Sequence, residues 1–372
     1  MKTQLFALSV LSAACCAAQA QSSVTVYGVL DSYLELASAG NGTVTRISSG
    51  GAMGSRFGFR GTEDLGGNLK ANFVLEAGIL MDTGASTGTA TIPTSTVPTG
   101  AAYIFQRLAT VGLSGDFGAV NIGRQYTPHF GTMAAFDPAG FTMSGALNYY
   151  AGPGVGINGG SLADATTRRD NSIQYTTPTW GGFKANVFYA FGESTGAGGQ
   201  PKSTGNTFNI AAGYSSSTLS AQASYMTEKT IYIVGNTDKY TTLAASYDFG
   251  VIKPSAIFVR RRGDSVGAPA LDAYQIGASA PVGTGKLIAT YGQLKNKTRR
   301  IRIPRPSVCV TTTRCPSGPQ FTAVRPGSAT RPQPATPSAV AAAARQAWRS
   351  QPSARARNRC TLVSRTCFKA NS

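Results

Sequence analysis

Apolar and polar residues alternate along much of the chain, in segments of about ten residues separated by turn signals. The pattern is clearest in 69–76, 183–189 and 219–225. A period of two places successive side chains on opposite faces of a β-strand. The alternation predicts thirteen strands, starting near Val24, Arg56, Leu69, Tyr103, Val120, Asn171, Phe183, Phe208, Leu219, Thr241, Ser255, Ala273 and Lys286.

Alternation alone does not separate a membrane barrel from a water-soluble sandwich. The segments are long enough to cross a bilayer as tilted strands. Aromatic residues cluster at segment ends, as an interfacial girdle requires; examples are Tyr214, Tyr247, Phe249 and the stretch 180–183. Tight turns alternate with the long connections 80–100, 127–166 and 191–206. We therefore predict an all-β fold, a transmembrane antiparallel β-barrel.

The first twenty residues have the composition of a secretory signal peptide. Lys2 precedes an apolar stretch from Leu5 to Ala18, and Ala18-Gln19-Ala20 has the small residues of a cleavage site. The apolar run falls short of the roughly 20 residues that a membrane helix needs. We predict a signal peptide over 1–20, followed by export through the periplasm.

Charge and cysteine are concentrated at the end of the chain. Residues 299–372 hold 13 Arg and one Lys without an acid, and so carry +14 of the formal +18. Four of the six Cys lie there, and none falls in 17–308. The high pI therefore does not indicate nucleic-acid binding by the body of the chain, and that body contains no disulfide framework.

Several ordered motifs resemble the general outer-membrane porins of β-proteobacteria, the Burkholderia, Bordetella and Neisseria type. They are 24–31 (VTVYGVLD), 55–66 (SRFGFRGTEDLG), 111–115 (VGLSG), 123–128 (GRQYTP) and 170–175 (DNSIQY). The resemblance covers about 22–297. It implies a sixteen-stranded barrel, usually a homotrimer, whose third loop folds inward to narrow the pore. Passive diffusion of small hydrophilic solutes and ions across the outer membrane would be its function.

A porin works through pore width and lining charges, so the candidate site residues are charged. Parity places Arg56 and Arg60 opposite Phe57 and Phe59, and therefore inward, because a guanidinium near the lipid midplane costs about 2–4 kcal/mol. By the same reasoning Lys70, Arg168 and Lys184 face the lumen. The resemblance adds Arg107 and Arg124 as wall residues. Simple alternation instead puts Arg124 with Val120 and Ile122, which predicts a bulge or strand end there.

The insert 127–166 corresponds to the inward loop, and Asp137 is its candidate constriction acid. Asp137 is the only acid between Asp116 and Asp164. Basic walls facing a loop with little acid predict weak anion selectivity. His129 is the only histidine and has no partner nearby in sequence, so we predict no catalytic, metal or cofactor role for it.

The segment 299–372 departs from the family pattern: it has 9 of the 19 Pro and no Tyr, and ends Ala370-Asn371-Ser372. We predict three regions: the signal peptide 1–20, an incomplete barrel 21–298, and a disordered Arg/Pro-rich tail 299–372. Two explanations of the tail remain. One is a reading-frame shift near codon 298, which we favour. The other is a basic arm that binds nucleic acid or lipopolysaccharide. The chain is expected to insert poorly, because unpaired strand edges are costly in lipid.

We predict a non-enzymatic porin without cofactor or metal. Its expected partners are other copies of the chain in a homotrimer, outer-membrane lipid and lipopolysaccharide, and small solutes and ions, with no nucleic acid. Two alternatives stay open: a substrate-specific channel, and a non-conducting barrel or adhesin whose loops carry the function.

Overall fold

The computed structural model describes residues 23–38, 43–51, 53–86, 104–140, 167–196, 199, 201–230, 235–266, 268, 270–283 and 285–297, and the backbone of four later strands. The predicted signal peptide and most of the predicted tail lie outside these residues. No helix among the described residues has the length and apolarity to cross a bilayer.

Fourteen strand segments precede residue 298. They are β1 (Ser23–Ser38), β2 (Thr43–Ser49), β3 (Arg56–Gly66), β4 (Leu69–Gly78), β5 (Leu108–Gly115), β6 (Gly118–Tyr126), β7 (Arg168–Thr176), β8 (Phe183–Ala190), β9 (Thr207–Ser215), β10 (Leu219–Lys229), β11 (Thr237–Tyr247), β12 (Lys253–Gly263), β13 (Ala270–Val282) and β14 (Gly285–Asn296). The thirteen predicted strands are all present. The additional segment is β2, and β5 begins five residues after its predicted start.

All the strands belong to one antiparallel sheet in which each pairs with its neighbours along the chain. The segments β2 and β3 both pair with β1, β2 with its second half and β3 with its first half. They occupy a single strand position, interrupted around Gly50. This interruption explains why one strand was expected where two segments are found.

Four further segments follow Lys297: β15 (Ile301–Ile303), β16 (Cys309–Arg314), β17 (Gln320–Val324) and β18 (Thr361–Phe368). The segments β15 and β16 pair with β14, and β18 pairs with β1, which closes the ring at sixteen strand positions. At these four segments the structure differs from the expectation of a disordered tail. The reason is that the edges of β1 and β14 offer backbone donors and acceptors that any chain can pair with.

The two faces of the sheet differ as a membrane barrel requires. Outward positions of β11 alternate with buried inward ones, and Leu243 on the outward face is 50% exposed. Exposed aromatic residues lie outward at the turn ends of the strands, where Trp180, Phe183 and Phe249 are each about 60% exposed. These positions form the interfacial girdle expected from the sequence.

A short helix, α1 (Pro128–Phe136), lies inside the ring directly after β6. Thr127 caps its first turn, because its hydroxyl accepts a hydrogen bond from the Phe130 N–H, and Pro128 occupies the first helical position. Met133 and Phe136 pack on apolar inward side chains of four strands; these are Ala244, Ile257, Val259, Leu271, Ala273 and Leu294. The inward-folding loop expected from the resemblance is therefore present in its described part, 127–140.

Candidate functional site

Four arginines gather around one carboxylate on the inner face, next to the start of α1. Arg107 Nε donates to Glu76 Oε1 at 2.6 Å, and Arg56 Nε lies 3.5 Å from Glu76 Oε2. The Tyr27 hydroxyl donates to the same Oε2 at 3.0 Å, and the Arg60 guanidinium lies 5.3 Å from the Tyr27 ring centre. Glu76 thus holds two guanidinium groups directly and a third through Tyr27.

The fourth arginine joins this group through Tyr126. Arg107 Nη2 and Arg168 Nη2 each donate to the Tyr126 hydroxyl at 2.7 Å, and the Arg168 guanidinium lies 4.4 Å from the Tyr126 ring centre. On its other side the Tyr126 ring stacks on Phe130 of α1, with ring centres 5.0 Å apart. We call Arg56, Arg60, Arg107 and Arg168 the arginine cluster; with Glu76 its formal charge is +3.

Strand register places the cluster on the same face as α1. Thr242, which contacts α1, lies opposite Ser224, and the ladder continues strand by strand to Lys70 and Glu76 of β4. Glu76 lies opposite Gly58, so Arg56 and Arg60 share its inward face. Each arginine of the cluster except Arg60 stands at the loop end of its strand. The cluster and α1 therefore lie on the same inner face near the loop side, joined through the stack of Tyr126 on Phe130.

Asp137 is not exposed to the lumen as a constriction acid would be. It follows the last turn of α1 and is 4% exposed. Its Oδ1 accepts hydrogen bonds from Gln275 Nε2 of β13 at 2.9 Å and from the Ala139 N–H at 3.0 Å. The next residue, Pro138, sits so close to Gly277 that a Cβ there would lie 2.9 Å from its ring. Asp137 therefore anchors the loop to the wall.

Arg124 is also buried, contrary to the picture of a water-facing wall residue. The register between β6 and β7 shifts between Gly123 and Gln125, which is the irregularity expected from the sequence. Arg124 Nη1 bonds Asp170 Oδ1 at 2.7 Å, and its Nε donates to the Gln106 carbonyl at 2.6 Å. This arginine is neutralised locally and fastens neighbouring segments together.

Lys70 and Lys184 face inward as expected, but away from the cluster. Both side chains are exposed and lie near the turn ends of β4 and β8. Six residues of β4 separate Lys70 from Glu76, a span of roughly 20 Å. These lysines line the turn-side mouth of the ring.

His129 is a fully buried residue of α1. Its Nδ1 lies 2.8 Å from the Thr242 hydroxyl, and its backbone N–H donates to Asn209 Oδ1 at 2.6 Å. Burial lowers the pKa of His129 from 6.5 to about 3, so the imidazole is neutral at pH 7. Among the described residues, no group of three His, Cys, Asp or Glu side chains could hold a metal ion.

Sequence reasoning missed Glu76, Tyr27 and Tyr126, which hold the arginines in place. Glu76 has the inward parity of Lys70, so alternation alone could have identified it. It also missed the apolar inner wall under α1. The signal was present in 256–259 (AIFV), where four successive residues are apolar, so that both faces of β12 are apolar. A strand that faces a polar lumen does not require apolar inward side chains, so such a run indicates that something packs on the inner face.

Comparison with known proteins decides what this arrangement belongs to. A family described as Gram-negative porin matches residues 7–304. The chain belongs to this family. It is 38% identical over 293 residues to outer membrane porin protein 32 of Delftia acidovorans, covering 76% of this chain and 77% of that protein. An outer membrane porin of Bordetella pertussis is 33% identical over 210 residues, with 51% of this chain and 48% of that protein covered.

Solved structures agree with this assignment. The anion-selective porin from Comamonas acidovorans superposes with a TM-score of 0.67 at 31% identity, covering 82% of this chain and 88% of that one. OmpF of Salmonella typhi superposes with a TM-score of 0.60 at 14% identity, covering 93% and 97%, which shows the fold alone. The protein is thus a porin of the Gram-negative outer membrane, a passive diffusion channel for small hydrophilic solutes and ions.

Acid pH is expected to release α1 from the wall of this porin. Because the docked helix keeps His129 neutral down to pH about 3, an undocked helix binds one more proton between pH 6.5 and 3. Docking is therefore fully stable above pH 6.5 and weakens steadily as the pH falls through that window. Single-channel recordings should show growing open-channel noise from pH 7 to 4.5.

The variant His129→Gln separates this effect from other acid-induced changes. It cannot gain a charge, so its noise should change less with pH than that of the parent channel. A matched variant in an exposed turn, Asp248→Asn, should keep the parent's pH dependence. Equal pH profiles for His129→Gln and the parent would contradict the assignment.

Proposed function

We propose that this porin prefers anions. The observation that carries the proposal is the arginine cluster, four guanidinium groups with one carboxylate on the inner wall beside α1. Two buried arginines elsewhere in the described wall are paired: Arg169 with Glu228 at 2.5 Å and Arg261 with Asp238 at 2.6 Å. These two arginines are neutralised locally, so they add no net charge to the inner wall beside that of the cluster.

The composition of the loop that carries α1 also supports a preference for anions. A transverse electric field across a pore needs acidic side chains opposite the basic ones. Here Asp137 is buried against the wall, and its carboxylate accepts a hydrogen bond from Gln275. The described part of the loop, 127–140, contains no other acid. A unit charge about 7 Å away in a water-like medium contributes on the order of 0.6 kcal/mol, so three net charges favour an anion clearly, though salt screens them.

The solved porin of Comamonas acidovorans is named as anion-selective, and this chain is 31% identical to it. That property of a relative supports the proposal but does not test it in this chain. The test is the reversal potential of the reconstituted channel in a KCl gradient. We expect the sign of an anion-selective pore and a chloride-to-potassium permeability ratio several-fold above one. A ratio at or below one would refute the preference.

We also propose the assembly and partners of this porin. It acts as a homotrimer without enzymatic activity, cofactor, metal or nucleic acid. It is exported with cleavage of 1–20, and it contacts outer-membrane lipid and lipopolysaccharide. Outer-membrane location and relatives that are porins support these statements. Unheated gel electrophoresis and N-terminal sequencing of the exported chain test oligomer and cleavage.

A further inference from the structure

Five basic residues lie on the outward face of the barrel near the loop ends of three strands. Lys239 of β11 lies opposite Arg262 of β12, and Arg260 lies opposite Asp272 of β13, which in turn lies opposite Lys295 of β14. The fifth is Lys297, immediately after β14. We call Lys239, Arg260, Arg262, Lys295 and Lys297 the outer basic patch.

One acid partly neutralises this patch. Asp272 is 1% exposed, and it binds Arg262 at 2.7 Å, Lys297 at 2.6 Å and Arg260 at 3.2 Å. Its single carboxylate leaves a formal charge of +4. Arg260 and Lys297 remain about half exposed, so the charge is presented to the outside of the barrel.

Beneath the cations lies a layer of aromatic side chains. The Arg260 guanidinium lies 5.4 Å from the Phe258 ring centre, and Lys295 Nζ lies 5.0 Å from the Tyr274 ring centre. The rings of Phe258 and Tyr274 are 5.1 Å apart. Aromatic residues below basic ones mark the boundary between headgroups and hydrocarbon in a membrane barrel.

Further toward the turn side, the same strands form two shallow apolar grooves of about 590 and 620 Å³. Both grooves are lined by Ala245, Ala256 and Ile276, and the second is also lined by Phe258 and Tyr274. Four residues of β12 separate Ala256 from Arg260, roughly 13 Å, which is within one leaflet of a hydrocarbon core about 30 Å thick.

We infer that this surface binds a phosphorylated lipid of the outer leaflet, with its phosphates on the outer basic patch and an acyl chain in the grooves. The inference rests on the outer-membrane location and makes the proposed lipid partner specific. Cations at headgroup level above an apolar groove match an anionic amphiphile in both charge and shape, and near-surface basic residues each favour anionic lipid by about fivefold.

A second copy of the chain is a poorer occupant, because it lacks complementary charge. Outside the irregular stretch at Arg124, the register places two acids on the outward face of the described strands, Glu63 and Asp272. Glu63 lies at the turn end of β3. Outside that stretch, where Asp170 is bound to Arg124, the described strands of a parallel copy therefore offer no acid at the level of the patch except an Asp272 already held by three cations.

The test uses the full chain refolded in detergent, with bound lipid counted by native mass spectrometry. The probes are bis-phosphorylated lipid A, the same lipid without phosphates, and inorganic phosphate as competitor. The variant Lys239→Gln/Lys295→Gln removes two charges without touching the Asp272 network. The matched control, Lys253→Gln/Lys286→Gln, removes two lysines that register places on the inner face at the turn end.

We expect the patch variant to bind lipid A about 10- to 25-fold more weakly, while the control binds it as the parent does. Dephosphorylated lipid should bind weakly and equally to all three. A groove-filling variant, Ala256→Trp, should also weaken lipid A binding. Unchanged binding by the patch variant, full displacement by inorganic phosphate, or a change of oligomeric state in place of lipid loss would overturn the inference. The reversal potential of the patch variant should match the parent's. Failure of the lipid-binding inference can therefore be distinguished from failure of the proposed anion selectivity.

Discussion

Replacing Arg60 and Arg168 together with glutamine lowers the chloride-to-potassium permeability ratio about threefold, toward one. Both belong to the arginine cluster, and neither bonds Glu76 directly, so the buried carboxylate keeps its two guanidinium partners. The change removes two of three net positive charges, and each charge acts oppositely on anions and cations. Reversal potentials in KCl gradients at low and high ionic strength measure the effect, which should shrink with salt.

Two matched variants make this prediction specific. Arg60→Lys/Arg168→Lys keeps the charge and should retain most of the anion preference, even though Lys cannot reproduce the stacking of Arg168 on Tyr126. Lys253→Gln/Lys286→Gln removes the same charge at the turn-side mouth and should change the ratio much less. An equal loss in the mouth variant would assign selectivity to the total charge and not to the arginine cluster.

A chain whose reading frame is restored after codon 298 should yield at least tenfold more outer-membrane trimers than the 372-residue chain. The resemblance to general porins implies that the restored sequence has alternating strands and ends on an aromatic residue. Sequencing the coding DNA from codon 280 and translating all frames identifies it. Unheated gels and channel counts from outer-membrane extracts of cells making each form provide the comparison. Equal trimer yields, or the lack of such a frame, would show that the basic tail is a genuine part of the protein.

The physical reason lies in the closing ladders. The described pairing of β18 with β1 spans four residue pairs, Leu30 to Tyr33, although β1 is 16 residues long. The described pairing of β16 with β17 is the single pair Val310 and Ala323. Each backbone group left unpaired in hydrocarbon costs several kcal/mol, so a chain that fails to pair about ten groups at a strand edge loses on the order of tens of kcal/mol. Proline at the density of 299–372, 9 of the chain's 19, is poorly accommodated in such strands, so we expect the 372-residue chain to close its ring poorly.

Much of the fold could be predicted from the sequence, because inward and outward positions of a barrel strand require different chemistry. Four strand starts, Arg56, Leu69, Phe183 and Leu219, agree with the structure to the residue. The segment β2 was missed because it shares one strand position with β3. The start of β5 was predicted too early, at Tyr103. This residue precedes the strand, and alternation of apolar and polar residues there does not indicate a strand.

The candidate site was predicted less completely. Parity placed Arg56, Arg60, Lys70 and Lys184 on the inner face, where the structure has them. It could not tell that the lysines lie at the turn side, far from the arginines. Nor could it tell that Asp137 and Arg124 are buried, because both depend on what packs against them: Gln275 of β13 for Asp137, and Asp170 across a register shift for Arg124.

The sequence by itself determined thirteen of the strands, the inward face of Arg56, Arg60, Lys70 and Lys184, and the family. These follow from local rules, since a period of two and the cost of charge in lipid act on each residue separately. Only the tertiary structure decided which charges meet. Glu76 joins Arg56 and Arg107, α1 docks on the inner wall, and three cations, Arg260, Arg262 and Lys297, converge on Asp272. These groupings depend on the register between paired strands and on the docking of α1, and no single segment encodes either.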